Sequence, residues 1–491
     1  MERGNGILMH ISSLPSKWGI GTLGRAAYEF VDFLSKAGQK YWQVLPVSPT
    51  GYGDSPYQSY STFAGNPYFI DLDMLTESGN LCPDDYKYID WGWDTGYTDY
   101  EKIANNRINI LKKAYYSDRE SLREDIDEFR AKEAYWVENY AMFMALKERF
   151  GGLPYWEWDD DIKFRKSEAM TKAYCELGEN IEFWIYVQFR FFEQWEKLKE
   201  YANDKGIKLI GDIPIYVAED SADAWAHDEV LWLDEERRPV KVAGCPPDYF
   251  TPKGQLWGNP LYDWEYLKST GYEWWILRIK AMFRICDIVR IDHFRAFSAY
   301  YSIPFGDEDA TGGCWLDGPG GDFFDTLRNE LGEDLPIIAE DLGLIDDGVR
   351  ELLKYTEFPG MKVFQFAFDP SGQSDYLPHK YDKNCIAYIG THDNDTLIGW
   401  YNSESEEVRR FMNEYLRIKD NLVWDAFAGL MASVADVTIV TMQDVLNLGQ
   451  EARMNTPGRP CGNWQWRMRD NGVYNNGTAE RLAKLTRLYG R

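Results

Sequence analysis

The chain is 491 residues long, 44% hydrophobic and 16% aromatic, which is enough apolar material for a large core and excludes a disordered chain. Lys and Arg number 53 against 80 Asp and Glu, and the net charge of −27 argues against nucleic acid or an anionic membrane surface as a partner. At about 150 residues per domain the length suggests roughly three domains, although an α/β barrel with insertions can exceed about 250 residues as one.

From the N-terminus onward, MERGNGILMHISSLPS has no basic start followed by a long apolar stretch, so no secretory signal is expected. No apolar run approaches the roughly 18 residues of a membrane span. Eight short apolar segments read as strands: 7–14, 41–47, 208–217, 287–295, 336–343, 361–368, 385–395 and 437–445. Most are nearly continuous in apolar character at their starts, as strands buried on both faces should be. Helical patterns lie between most of them, for example 26–38 after the first and 274–285 before the fourth. Strand alternating with helix predicts a parallel sheet, and eight strands predict an α/β fold of the closed (β/α)8 TIM-barrel kind. Polar and acidic residues gather at the C-terminal ends of these strands, the face where such barrels keep their chemistry.

Two gaps are too long for simple connections. Residues 48–207 open with a turn-rich aromatic stretch, 49–67, and continue as mainly helical sequence from about 100 to 204. Residues 218–286 hold the loop 242–262, expected to lack regular structure, and long loops of that kind are usually functional. The sequence therefore reads as a single catalytic barrel over 1–491. One subdomain, 48–207, is inserted between strands two and three, and a loop subdomain, 218–286, between strands three and four. Too little chain follows the last strand for an added C-terminal β-sandwich.

The cysteines at 82, 175, 245, 286, 314, 385 and 461 are scattered and form no C-x-x-C pair, which predicts reduced structural thiols in a cytoplasmic protein. With five histidines and no H-E-x-x-H spacing, neither a metal nor a cofactor is expected.

Three strand ends carry the candidate chemistry. Arg290 and Asp292 alternate onto one face at the end of the fourth strand, and a guanidinium beside a carboxylate favours its ionised form, as a nucleophile needs. A buried structural ion pair is the competing reading. Glu340 emerges from the wholly apolar Ile337-Ile338-Ala339, surroundings that raise a carboxyl pKa as a general acid requires. Its neighbour Asp341 reads better as a helix N-cap. Thr391-His392-Asp393-Asn394-Asp395 ends the seventh strand with a third acid, Asp393, and a hydrogen-bonding imidazole. For both to serve one site the backbone must already be turning there. Asp212 on the third strand is a fourth candidate, or else a structural hydrogen-bond acceptor.

Two carboxylates flanking an acetal are the basic machinery of glycoside cleavage, and a neutral sugar needs no basic patch. Sugar C–H faces pack on aromatic rings, which suits Tyr52, Tyr57 and Trp257 in the long loops. Two motifs are set aside. Gly19-Ile20-Gly21-Thr22-Leu23-Gly24 matches G-x-G-x-x-G, but Pro15, Lys17 and Trp18 separate it from the strand end and no acid closes the second strand. The sequons at Asn394 and Asn476 have no signal peptide to give them meaning.

Longer motifs make the sequence recognisable: SSLPSKWGIGTLG, LPVSPTGYGDSPYQSYSTFAGNPYFIDL, GDIPIYVAEDSADAWAH, PPDYFTPKGQLWGNPLY, VRIDHFRAF, IIAEDLG, GTHDND, LGQEARMNTPG and GNWQWR. In these and in their order it resembles the amylomaltases, also called 4-α-glucanotransferases or disproportionating enzymes (glycoside hydrolase family 77), within the α-amylase clan. The resemblance implies Asp292 as nucleophile, Glu340 as acid/base and Asp393 as transition-state stabiliser. It implies that Arg290, His293, His392 and Asp212 support the sugar at the cleavage point, and that Tyr57, Trp257, Asp369 and Asn463 line the glucan chain. Substrates would be maltooligosaccharides and other α-1,4-glucans, handled by a monomer or homodimer. The rival readings are a retaining α-glucan hydrolase and a noncatalytic glucan binder that kept the barrel. An aromatic acceptor side, for which the Trp257 loop and residues 451–458 are the candidates, would favour transfer over hydrolysis.

Overall fold

A computed structural model describes the chain except residues 248–250, 420, 460, 471 and 476 and the side chains of residues 52, 473 and 475. The ring of Tyr52, residues 248–250 of the 242–262 loop and the sequon residue Asn476 thus fall outside the described residues.

The strands in chain order are β1 (Gly4–Leu8), β2 (Tyr41–Gln43), β3 (Lys208–Ile213), β4 (Lys241–Cys245), β5 (Gln255–Pro260), β6 (Ile288–Ile291), β7 (Ala299–Pro304), β8 (Cys314–Asp317), β9 (Ile337–Ala339), β10 (Gly360–Val363), β11 (Cys385–Tyr388) and β12 (Val437–Thr441). Eight of them form one sheet in the order β10-β11-β12-β1-β2-β3-β6-β9. All its pairings are parallel. The ends of the sheet approach each other, and the Ala339 amide donates to the Pro359 carbonyl at 3.0 Å. This is the expected (β/α)8 barrel. Each of the eight predicted segments supplies one strand, because residues such as Ile337–Ala339 are buried on both faces and must be apolar throughout. The strands are shorter than the apolar segments. β11, for instance, stops at Tyr388, and the following residues turn into the barrel mouth.

Helices cover the outside. In Arg25–Lys36 the buried residues Ala27, Phe30, Val31 and Leu34 recur at helical spacing and face the core. Among the described residues no helix is long and apolar enough to cross a membrane.

The segment between β2 and β3 is mainly helical, as its sequence predicts. Its longest element, the helix Ser167–Asp204, buries Ile181, Trp184, Ile185, Gln188, Phe191, Trp195 and Leu198 along one stripe. Two glutamines on that stripe peg the loop between β2 and the helices. The Gln188 side chain accepts from the Gly65 amide (2.7 Å) and donates to its carbonyl (3.0 Å). Gln194 does the same for Asp71, at 2.7 and 3.3 Å. Gly65 lies so close to Phe191 that a Cβ there would fall 1.9 Å from the ring, so only glycine fits.

The segment between β3 and β6 differs from expectation. Rather than an irregular loop it contributes β4 and β5, which join β7 and β8 in a second, antiparallel sheet ordered β5-β4-β7-β8. These strands are short and interrupted by Gly244 and Gly258, with a register shift between Val242 and Gly244, so the strand periodicity is broken in the sequence.

Candidate functional site

The site grows out of the ladder between β3 and β6. Asp212 and Arg290 are direct partners across it, so both side chains point the same way. Arg290 Nη1 lies 2.8 and 2.6 Å from the two Asp212 oxygens, and Nη2 lies 2.9 Å from Asp292 Oδ1. One buried guanidinium thus holds two carboxylates. Asp212 is sealed in (1% exposed) and also accepts from the Tyr57 hydroxyl at 2.8 Å, so it acts as an acceptor that fixes its neighbours. Asp292, just past β6, keeps 30% of its side chain open to solvent.

Glu340 follows β9, the strand paired with β6. Its Oε2 accepts from the His293 amide at 2.7 Å and its Oε1 from the Leu342 amide at 2.8 Å. Burial, together with the negative charge of Asp292, pushes its pKa up to about 8, against the opposing pull of Arg290 and those two amides. The His293 backbone adopts the left-handed conformation (φ 54°), and from that position its amide donates to Glu340. Burial lowers the His293 pKa to about 4, so its imidazole is neutral at neutral pH. The Trp257 ring meets it edge-on at 4.8 Å.

The third acid is held differently. Beyond β11 the chain turns, and Asn394 accepts from the Thr391 amide and hydroxyl at 2.9 and 3.0 Å. This turn lets His392 and Asp393 serve one place, as the sequence required. Asp393 Oδ1 accepts from Asn455 Nδ2 (2.6 Å) and lies 3.3 Å from His392 Nε2. His392 stacks on Tyr57 with centroids 5.0 Å apart.

A cavity of about 410 Å³ is bounded by Asp292, Asp393, Tyr57, His392, Trp257 and Trp464; Glu340 is not among its lining residues. Its size lies within the range of about 300–1,000 Å³ usual for small-molecule sites. Asn463 precedes Trp464 but does not line the cavity, and its side chain is engaged by the Thr456 amide and the Arg459 carbonyl at 2.9 Å each. Asp369 is placed otherwise: it is exposed on the loop after β10, and its carboxylate is taken by the Ser371 amide (3.0 Å) and hydroxyl (2.5 Å).

Sequence reasoning missed three participants. Asn455 grips Asp393, Arg453 Nη2 donates to the Asp393 carbonyl at 2.6 Å, and Trp464 packs against Tyr57 and His392 at 5.8 and 5.7 Å. Their motifs, EARMNTPG and GNWQWR, were visible, but nothing in one sequence says which strand end such a late loop will reach.

The 4-alpha-glucanotransferase family model matches residues 9–472. The chain belongs to this family. A 4-alpha-glucanotransferase of Clostridium butyricum is 49% identical over 487 residues, covering 98% of this chain and 100% of that one. The structure of an amylomaltase from Streptococcus agalactiae in complex with acarbose superposes with a TM-score of 0.97 at 43% identity, covering 100% of both chains. An amylomaltase from Corynebacterium glutamicum, at 18% identity and TM-score 0.81, shares the fold over 99% of this chain and 75% of that one. Membership in the 4-alpha-glucanotransferase family makes the chain an enzyme, and the carboxylates grouped at the barrel mouth are its candidate machinery.

Proposed function

We propose that this chain transfers a segment of a 1,4-α-D-glucan to the 4-hydroxyl of an acceptor glucan or glucose, by a retaining mechanism. The observation that carries the reading is the pairing, on adjacent strand ends, of a guanidinium-held carboxylate with a buried acid whose pKa stands near 8. Glu340 protonates the glycosidic oxygen while Asp292 attacks the anomeric carbon, giving a covalent β-glucosyl enzyme and a free leaving glucan. Glu340, now a carboxylate, takes the proton from the acceptor 4-hydroxyl as that oxygen displaces Asp292. Two inversions restore the α configuration. Asp393, fixed by Asn455, supplies negative charge to the oxocarbenium-like transition state. Tyr57, Trp257 and Trp464 offer aromatic surface to sugar rings. The names of the relatives from C. butyricum and S. agalactiae, and the acarbose held by the latter, support an α-glucan substrate.

Transfer over hydrolysis requires an acceptor sugar bound better than water. The 451–458 loop supports this reading, since its Asn455, Pro457 and Gly458 border the cavity beside Trp464. The barrel is the catalytic unit, and the insertions 48–207 and 218–286 serve its mouth by bringing in Tyr57 and Trp257.

Maltotriose as sole substrate tests the proposal. Glucose plus a ladder of longer maltooligosaccharides, at nearly constant reducing ends, is the expected result. Glucose and maltose alone, with reducing ends rising in step, would replace it with a retaining α-glucan hydrolase.

A further inference from the structure

Arg107 and Arg467 are two buried cations without a counter-ion. Their exposures are 0% and 3%. Among the described residues each makes one hydrogen bond to a carbonyl, Arg107 Nη2 to Trp18 O (3.2 Å) and Arg467 Nη2 to Thr95 O (3.0 Å), and neither forms an ion pair. Nε and Nη1 of both guanidinium groups are buried with no partner, and so is the neighbouring Thr98 hydroxyl. Arg467 N donates to Gly96 O and Thr98 N donates to Gln465 O, which sets Thr98 beside Arg467, and the Arg467 charge reaches Arg107.

The acids near them make their hydrogen bonds elsewhere, although Asp71 and Asp73 offset part of the Arg107 charge from a distance. Asp71 accepts from the Thr22 hydroxyl and the Met74 amide, Asp73 from the Trp18 indole and the Tyr86 hydroxyl, and Asp94 from Arg469 and the Gly96 amide. Burial lowers both arginine pKa values to about 10, which still leaves them charged at neutral pH. Buried charge is costly unless paired, and buried donors are nearly always satisfied.

We infer that Arg107 and Arg467, with Thr98, bind a small monovalent inorganic anion, a halide such as chloride, in the seam between the 18–19 loop, the helix Tyr100–Asp118 and the 464–469 segment. The anion would tie the segment carrying Trp464 to the helical insertion, a connection already marked by Tyr100, whose hydroxyl donates to the Trp464 carbonyl at 3.0 Å.

Crystals of the wild-type protein soaked in bromide give the direct test, with anomalous scattering read at the pair. Bromide within hydrogen-bonding distance of Arg107 and Arg467 is expected; ordinary water there, or nothing, would overturn the inference. In solution the thermal midpoint should rise further with chloride than with methanesulfonate at equal ionic strength, and that excess should level off. Arg107→Gln and Arg467→Gln should each abolish that difference. A bromide peak with no chloride-specific shift in the wild type would mean an adventitious ion only and would also overturn it. The wild-type arms need no variant to fold.

Discussion

Arg290 organises the charge of the site, because one guanidinium neutralises Asp212 and orients Asp292 while Glu340 is left without an ion pair. Glu340 therefore stays protonated in the folded chain well above the pH at which a solvated carboxyl ionises. The kcat/KM for maltotriose should fall as pH rises through about 8, where the free enzyme loses its acid. The same residue makes a stability prediction of definite sign. Its folded pKa is raised, so between about 4.3, the unfolded value, and 8 the native state binds more protons than the unfolded one. Stability falls as pH rises through that window, by up to about 1.4 kcal/mol per pH unit. Glu340→Gln removes this dependence. It also carries a pH-independent loss, since its NH2 must face either the His293 or the Leu342 amide, both donors. The variant's stability relative to wild type should thus climb from pH 5 to pH 8 in denaturant titrations, with turnover largely abolished. A flat difference would mean that Glu340 ionises normally.

At the scale of elements, what the sequence revealed and what it hid have the same cause. The barrel strands were legible because burial on both faces leaves only apolar residues at positions such as 337–339 and 385–388. The candidate chemistry was legible because Asp292, Glu340 and Asp393 each follow such a strand. The second sheet was not, since β4 and β5 bury only part of their length and β4 depends on a partner distant in sequence, β7. The same non-locality hid Asn455, whose partner Asp393 is 62 residues away. It also hid the way a helix of the insertion positions Tyr57. Gln188 is completely buried and is the bidentate partner of Gly65, on the loop that carries Tyr57. Gln188→Ala strands a buried N–H and C=O, at about 1–3 kcal/mol each. The thermal midpoint should drop, and the KM for maltotriose should rise more than kcat falls, because the loop that places Tyr57 loses its peg. An unchanged midpoint would show that water replaces the glutamine without cost.

At the scale of the whole molecule, the insertions matter more than the domain count suggested by length, because each delivers an aromatic ring to one barrel mouth: Tyr57 from the first and Trp257 from the second. The charge of −27 acts at this scale as well. A neutral glucan has no charge to steer, so the protein's field contributes nothing to the encounter and can be large without penalty to the reaction. Salt screens fields beyond about 10 Å at 0.1 M, and the carboxylates that would do the chemistry lie within contact distance of their partners. Two consequences separate. With methanesulfonate added over a fixed chloride background, the kcat/KM for maltotriose should change by less than about twofold from low to moderate ionic strength, as expected for an uncharged substrate. The thermal midpoint should meanwhile rise over the same range, because screening relieves the self-repulsion of an acidic surface. A steep loss of kcat/KM with salt would instead indicate a charged substrate, and would count against a glucan as the molecule this mouth is built to hold.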